Sequence, residues 1–587
     1  MLAQSYEQAE QFEKAEQIYA DLLKQQNQNY AFFEALNRIM VRQKKYAESV
    51  SLLKNRITNN PQDVNSYGLL GSTYFMMDEL ENAYSVWEKG IAINPANVVS
   101  YRVIANFAIE NRAFDKAIDI LKRGKEYSTD PFIFSLDLAN IYSVNMRFED
   151  AAEEYCNLLL ARPDQVGMIK SRIASYLPRQ GAIEPTLRTI EKFAEKNPIP
   201  QMLDLLVFIY TSADKYDDAL PTAIEYNKQI KSSGDYVFVF AQDAFRNQKF
   251  DVAAKAYEYV IENYPASQLI PIAKIGYANT IAESVVQKYS YNQESWKPLY
   301  NKKVLHEEEY FNVIKAYERL AKEFPNNAIY PQAVFKMAKI YSDHLLNYHS
   351  ADSLFKLIME KHSTSEYASQ AGIALGKISI TFNKLDEAQK YFRNSTALRI
   401  KSPNEIAEAN FYLAKIEFWK GNFSKAITLF KDVTKDLSTN FANDALEISS
   451  LINISKRDSI NLFRYAQADL YSFQNKFKEA ANEYKTLADN PNLFIINEFV
   501  NLKFAEMLLA NDELPEAIKV LEILYDDTKT AILADKAIFI LAQTYQFGIK
   551  NYQKASEIYQ KLLEKFPNSL YFDRARDYLK DLKTKNG

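Results

Sequence analysis

The chain has one cysteine, 13 glycines and 18 prolines in 587 residues, and each shortage removes a class of protein. A lone Cys156 rules out an internal disulfide framework and a thiolate-rich metal site. So few glycines and prolines leave little chain for tight turns, which excludes a fold of many short strands and favours helix. No run of about eighteen apolar residues occurs, so no membrane-spanning helix is expected. The opening residues, MLAQSYEQAEQFEKAEQ, are polar and acidic where a signal peptide would be apolar. Charge of one sign is also lacking: 71 basic against 75 acidic residues leave a net charge of −4. That balance gives no electrostatic reason to expect nucleic acid as a partner.

Side chains for catalysis are equally scarce. The four histidines are His306, His344, His349 and His362. HEEEY at 306–310 lacks the second ligand of a zinc-binding HExxH, and no Gly-rich phosphate loop or nucleophile elbow is found. The acids Glu307, Glu308 and Glu309 read as the solvated start of a helix, where negative charge suits the dipole. Cys156 falls in the apolar rhythm EEYCNLLLA and reads as a buried small side chain. No enzyme activity, cofactor or metal site is expected.

What the chain does have is a period. Gly71, Ala105 and Ala139 are 34 residues apart, and so are Ala83, Ala117 and Ala151. Leu53, Trp87, Leu121 and Tyr155 keep the same step, as do Tyr46, Leu80, Phe114 and Phe148. Small residues recurring with bulky ones at a fixed interval are the mark of stacked helical hairpins, in which the small side chains let two backbones approach. Beyond about residue 270 the step lengthens to 37 or 38, through Ala338, Gly376 and Ala414 and then Ala468, Ala505 and Ala542. The array therefore divides into 1–268 and 269–587. A weak copy with four prolines lies at 166–200, irregular insertions lie near 285–306 and 434–460, and a capping helix is expected over about 570–583. The first insertion reads either as a drifted loop or, since Tyr289, Tyr291, Trp296 and Tyr300 are aromatics in a polar context, as a recognition loop.

The stretch SYGLLGSTYFMMDELENAYSVWEKGIAINP at 66–95 resembles the tetratricopeptide repeat, with Tyr67, Leu70, Gly71, Tyr74, Ala83, Trp87, Gly90 and Pro95 in the family's places. The resemblance implies an all-α solenoid, a right-handed superhelix of about fifteen antiparallel helix pairs, serving as a protein–protein interaction scaffold. On the family's pattern the first helix of each pair lines the concave side. Transferred to the clearest repeats, it nominates Arg38, Val41 and Arg42; Ser72, Phe75 and Met76; Arg102, Asn106 and Ile109; Asn140; and Phe238, Gln242, Phe245 and Arg246. Peptide or protein partners are implied. The carboxylate clamp that holds chaperone tails is not, since Asp137, Gly167 and Ser171 stand where the second and third repeats would supply amide and basic groups.

EFPNNAIYPQAVFKMAKIYSD and KFPNSLYFDRARDYL are similar to repeats of bacterial envelope proteins, including outer-membrane assembly lipoproteins and the Tol–Pal coordinator. That similarity implies an assembly or secretion component, periplasmic or associated with the outer membrane. Counting back from Ala15 and Tyr19 places Met1 near the sixth position of a first helix, so the register predicts further sequence upstream. A lipid anchor there is the one route to a membrane that the reading leaves.

Overall fold

In a computed structural model, residues 2–290, 296–490, 493, 496–526 and 533–586 are described. They form 32 α-helices, with no strand among the described residues. Within each unit most consecutive helices pack on one another, so the chain is an all-α solenoid built from local contacts. It divides into two compact units, Met1–Phe240 and Ala241–Gly587. The lengthening of the period near 268 falls inside the second unit, between the helices Phe250–Asn263 and Ile270–Ser290.

The small-residue columns are the cores of the hairpins. Ala83, Ala117 and Ala151 are fully buried, as are Ala338, Ala414, Ala468, Ala505 and Ala542. Gly71 lies under the indole of Trp87, so that a Cβ there would meet Trp87 Nε1 at 2.2 Å. The indole N–H in turn donates to the Gly68 carbonyl at 3.1 Å. Gly376 lies under Phe392 in the same way, with a ring carbon 2.5 Å from where a Cβ would be. These glycines admit an aromatic ring between two helices; they do not serve a turn.

A second periodic feature sits in the turns. Glu10, Lys44, Asp78, Arg112 and Met146, each 34 residues from the next, all have φ between 56° and 64°. Each ends a first helix in the left-handed conformation. The residue after it then closes the helix, as when Arg147 N–H donates to the Tyr142 carbonyl at 2.8 Å. Glycine would fit these turns best, and the chain spends almost none there.

The weak copy and the second insertion are both helical. The copy at 166–200 is the helix pair Val166–Tyr176 and Ile183–Lys196. Pro178 lies in its turn, Pro185 in the first turn of its second helix and Pro200 at the start of the next, where a missing N–H is harmless. Over 434–460 an additional helix, Ala442–Ile454, is inserted, and the helix Pro403–Trp419 packs directly on Ser459–Phe473 across it. The last helix is Phe572–Asn586. Cys156 is buried among Tyr155, Leu158 and Leu159, and burial pushes its thiol up to about 12. It is inert packing.

Candidate partner-binding site

The first-unit residues nominated from the repeat pattern are largely engaged within the array. Arg38 makes two bonds to Glu7 of an earlier helix, at 2.9 and 3.0 Å, and that guanidinium holds the Glu7 carboxyl below its usual range. Arg42 lies 3.9 Å from the same carboxylate and over the Phe12 ring. Arg102 donates to Asp137 at 3.0 Å and to the Ile133 carbonyl at 2.9 Å, and its guanidinium lies over Phe134. Asp137, the residue that breaks the carboxylate-clamp pattern, is thus the counter-ion of the arginine that fits it. Phe75 stacks on Trp87, and Ser72 is buried against the Asn111 amide at 2.8 Å. Val41 and Ile109 are half-buried, while Met76, Asn106 and Asn140 are exposed. Phe238 is buried.

In the second unit Gln242, Phe245 and Arg246 come together. They line one open cavity of about 350 Å³ with Ile275 and Asn279 of the next first helix, Ile270–Ser290, and Gln332 of the one after, Ile329–Asp343. Gly276 makes room for Tyr257 at its wall; a Cβ there would meet the phenol ring at 2.6 Å. Tyr317 donates to Asn279 Oδ1 at 2.7 Å, which fixes the amide and leaves its NH2 as the donor end. Arg246, paired only loosely with Asp243 at 3.4 Å and mostly exposed, adds a cation at the rim. Amides, one cation and aromatic walls can bond a peptide backbone and seat an apolar side chain.

Sequence reasoning missed the continuation of this face. The residue one place beyond each small residue is Lys339, Lys377, Lys415, Asp469 or Glu506, and all but Glu506 line cavities. The lysines, with Phe335, Ile373 and Glu408, surround cavities of about 590 and 160 Å³ between successive first helices. Lys377 pairs with Glu408, and Lys415 with Asp469 at 2.7 Å. Asp469 also accepts from Trp419 Nε1 at 2.7 Å. Burial opposes the charges of Asp469 and Glu506, yet Lys415 beside the one and Lys503 and Lys536 beside the other hold both carboxyls below their usual values. The signal was available: the same register that nominates Gln242 nominates these residues once the step is lengthened to 37 or 38.

The insertion near 285–306 is partly helical, since the helix Ile270–Ser290 runs to its limit and the next begins at Glu307. Tyr289 stacks on His306 with ring centres 3.5 Å apart and donates to Glu309 at 2.8 Å. Tyr291 lies outside the described residues. Trp296 lies against Phe547 and Gly548, and Tyr300 is half-buried.

Two family profiles, both described as Tetratricopeptide repeat, match residues 536–569 and 238–278. The second match contains Gln242, Phe245 and Arg246. No curated protein matches the chain. Among solved structures, a Naa15/Naa10 complex bound to HypK-THB has a chain similar at 13% identity, with 94% of this chain and 97% of that one covered and a TM-score of 0.28. A tetratricopeptide repeat protein from Parabacteroides merdae is 14% identical over 53% of this chain and 98% of its own, with a TM-score of 0.28. The P58(IPK) TPR domain is 12% identical over 72% and 97%, with a TM-score of 0.20. No helix among the described residues is long and apolar enough to cross a membrane. The two profile matches fall on helix pairs of the kind repeated along both units, and over those residues the chain matches the tetratricopeptide-repeat family.

Proposed function

We propose that the chain is a non-enzymatic scaffold that holds extended segments of protein partners along the inward faces of its first helices, with the cavity at Gln242, Phe245 and Arg246 as a principal contact. The observation that carries this reading is the convergence of three successive first helices on one open cavity whose lining is amide, aromatic and cationic. In such a site the amides bond the partner's backbone, the cavity takes one apolar side chain, and Arg246 favours a carboxylate nearby. The envelope reading rests on the Pro-Asn turns at 325–327 and 567–568 and concerns where such a scaffold would work, not how it binds.

The test is a peptide-display selection on the immobilised full chain, followed by binding of the selected peptides to Phe245→Ala and Arg246→Glu. Both side chains are accessible enough to change without opening the core. The expected result is at least a tenfold loss of affinity with unchanged exchange protection of the surrounding helices. Selected peptides that bind the variants as well as the parent would remove this cavity from consideration.

A further inference from the structure

Residues 296–306 interrupt the solenoid with a non-helical segment, WKPLYNKKVLH, and this segment is seated on helices about two hundred residues further along the chain. Trp296 stacks on Phe547 with ring centres 6.3 Å apart, and its ring edge lies 3.1 Å from where a Cβ on Gly548 would stand. Lys297 is buried and ion-paired to Asp512. Leu299 packs into the core that contains Val500 and Met507. The Asn301 amide donates to the Ala510 carbonyl at 3.4 Å. Six residues later the helix Glu307–Glu323 begins, so the segment bridges repeats that are remote in sequence by a reach of at most about 20 Å.

The surface beneath it is specialised. Ala510 and Phe547 each lie five residues beyond the small residue of their helices, Ala505 and Ala542, the same offset at which Arg246 follows Ala241. Ala510 is buried and offers only its carbonyl, while Phe547 is 37% exposed. Phe547 and Gly548 sit in a π-helical segment, Thr544–Ile549, a conformation that is rare and concentrated at functional sites. It widens the end of the helix and presents Phe547 beside a position without a side chain, which is a slot for a flat ring.

We infer that the surface made by Ala510, Asp512, Phe547, Gly548 and Leu514, whose Cδ1 lies 3.2 Å from where a Cβ on Gly548 would stand, is a peptide-docking site now occupied by the chain's own segment, and that its external partner is an extended segment carrying an aromatic residue followed by lysine. The chemistry of the occupant defines that of the partner. A flat aromatic enters the slot beside Gly548, a lysine reaches Asp512, and a backbone-like amide bonds the Ala510 carbonyl. The internal segment then acts as a competitor: a partner docks only by displacing it, so affinity in the intact chain is reduced by the fraction of time the site is covered. The proposal extends the peptide-binding reading to a different pair of repeats, and its failure leaves the test at Phe245 untouched.

The experiment titrates a fluorescent peptide of sequence WKPLYNKK against the full chain and against the double variant Trp296→Ala, Lys297→Ala. The expected result is binding at least tenfold tighter to the double variant, abolished by adding Asp512→Lys. A second pair guards against a folding defect. The single variant Asp512→Lys, altered at an exposed side chain, should prefer a peptide with Glu in place of the lysine. The idea is overturned if neither peptide binds either correctly folded variant, or if a scrambled peptide binds as well. It is also overturned if light scattering shows the double variant dimerised through a second copy of the chain in place of the peptide.

Discussion

The two units use one hairpin for different ends. In the first, Arg38 and Arg102 are each tied to a carboxylate 31 or 35 residues away, so these side chains join neighbouring repeats. In the second, inward residues at corresponding places leave open cavities, and one stretch of that face is covered by the chain's own segment. Register decides which way a side chain points. Ion pairs between repeats occur in both units, and in the second they line cavities that stay open.

The comparison sharpens most under acid. Glu506, only 3% exposed, sits between Lys503 at 2.7 Å and Lys536 at 3.5 Å in the second unit. Its nearest analogue in the first, Glu7, is 12% exposed between Arg38 at 2.9 Å and Arg42 at 3.9 Å. Glu506 and Asp469 titrate below their ordinary values of 4.5 and 3.8 when folded. Their stabilisation is thus complete above the ordinary carboxylate range and is lost as pH falls through the lower folded values. Hydrogen exchange at pH 7 and at pH 3 should show the helices from Ser459 to Gln543 loosening before those of the first unit. Glu506→Gln should cost about 3 kcal/mol at neutral pH by leaving two lysines without their partner, and should converge with the parent in acid. Uniform loosening of both units at low pH contradicts this ordering.

Packing should not distinguish the units. Gly71→Ala forces a Cβ into Trp87 and Gly376→Ala one into Phe392, and each should cost about 2 kcal/mol. Exchange protection, read repeat by repeat, is the suitable measure because a long array does not melt in two states. A variant with undiminished protection would falsify the role given to these glycines.

Next in size is an exchange of roles. Arg102→Glu removes the Asp137 and Ile133 bonds and sets a like charge beside Asp137, so it should loosen its repeat by about 1 kcal/mol. Peptides selected on the Phe245 cavity should bind it unchanged. Phe245→Ala should do the reverse. If Arg102→Glu instead abolished binding without loosening the repeat, the division of labour between the units would be wrong.

How much of this could be read from the residues differs by level. The hairpins were legible because Ala83, Ala117 and Ala151 must be small wherever two helices cross closely, a constraint that leaves a column in the sequence. The ordered pair at 166–200 was obscured because prolines that start helices look, in a list of letters, like prolines that break them. The ion pair of Arg102 with Asp137 was hidden for another reason: both residues suit a solvated groove, and only coordinates show that they meet. The docking of Trp296 on Phe547 depends on a contact between residues about 250 apart in sequence, for which no local pattern exists.

The smallest effect concerns the turns. Met146 holds φ 58° with its side chain 67% exposed, so nothing in packing requires methionine there. A left-handed residue with a Cβ costs about 1–2 kcal/mol relative to glycine, offset in part by the greater freedom glycine loses on folding. Met146→Gly should therefore gain about 0.5 kcal/mol, seen as slower exchange in the turn, with the bond from Arg147 N–H to the Tyr142 carbonyl retained. The second unit offers the converse, because Gly421 occupies the corresponding turn at φ 79° and Phe463 lies 3.0 Å from where its Cβ would stand. Gly421→Ala should lose stability through both strain and contact. Gains at both positions would mean that these turns are set by the helices they join and not by the residue that occupies them.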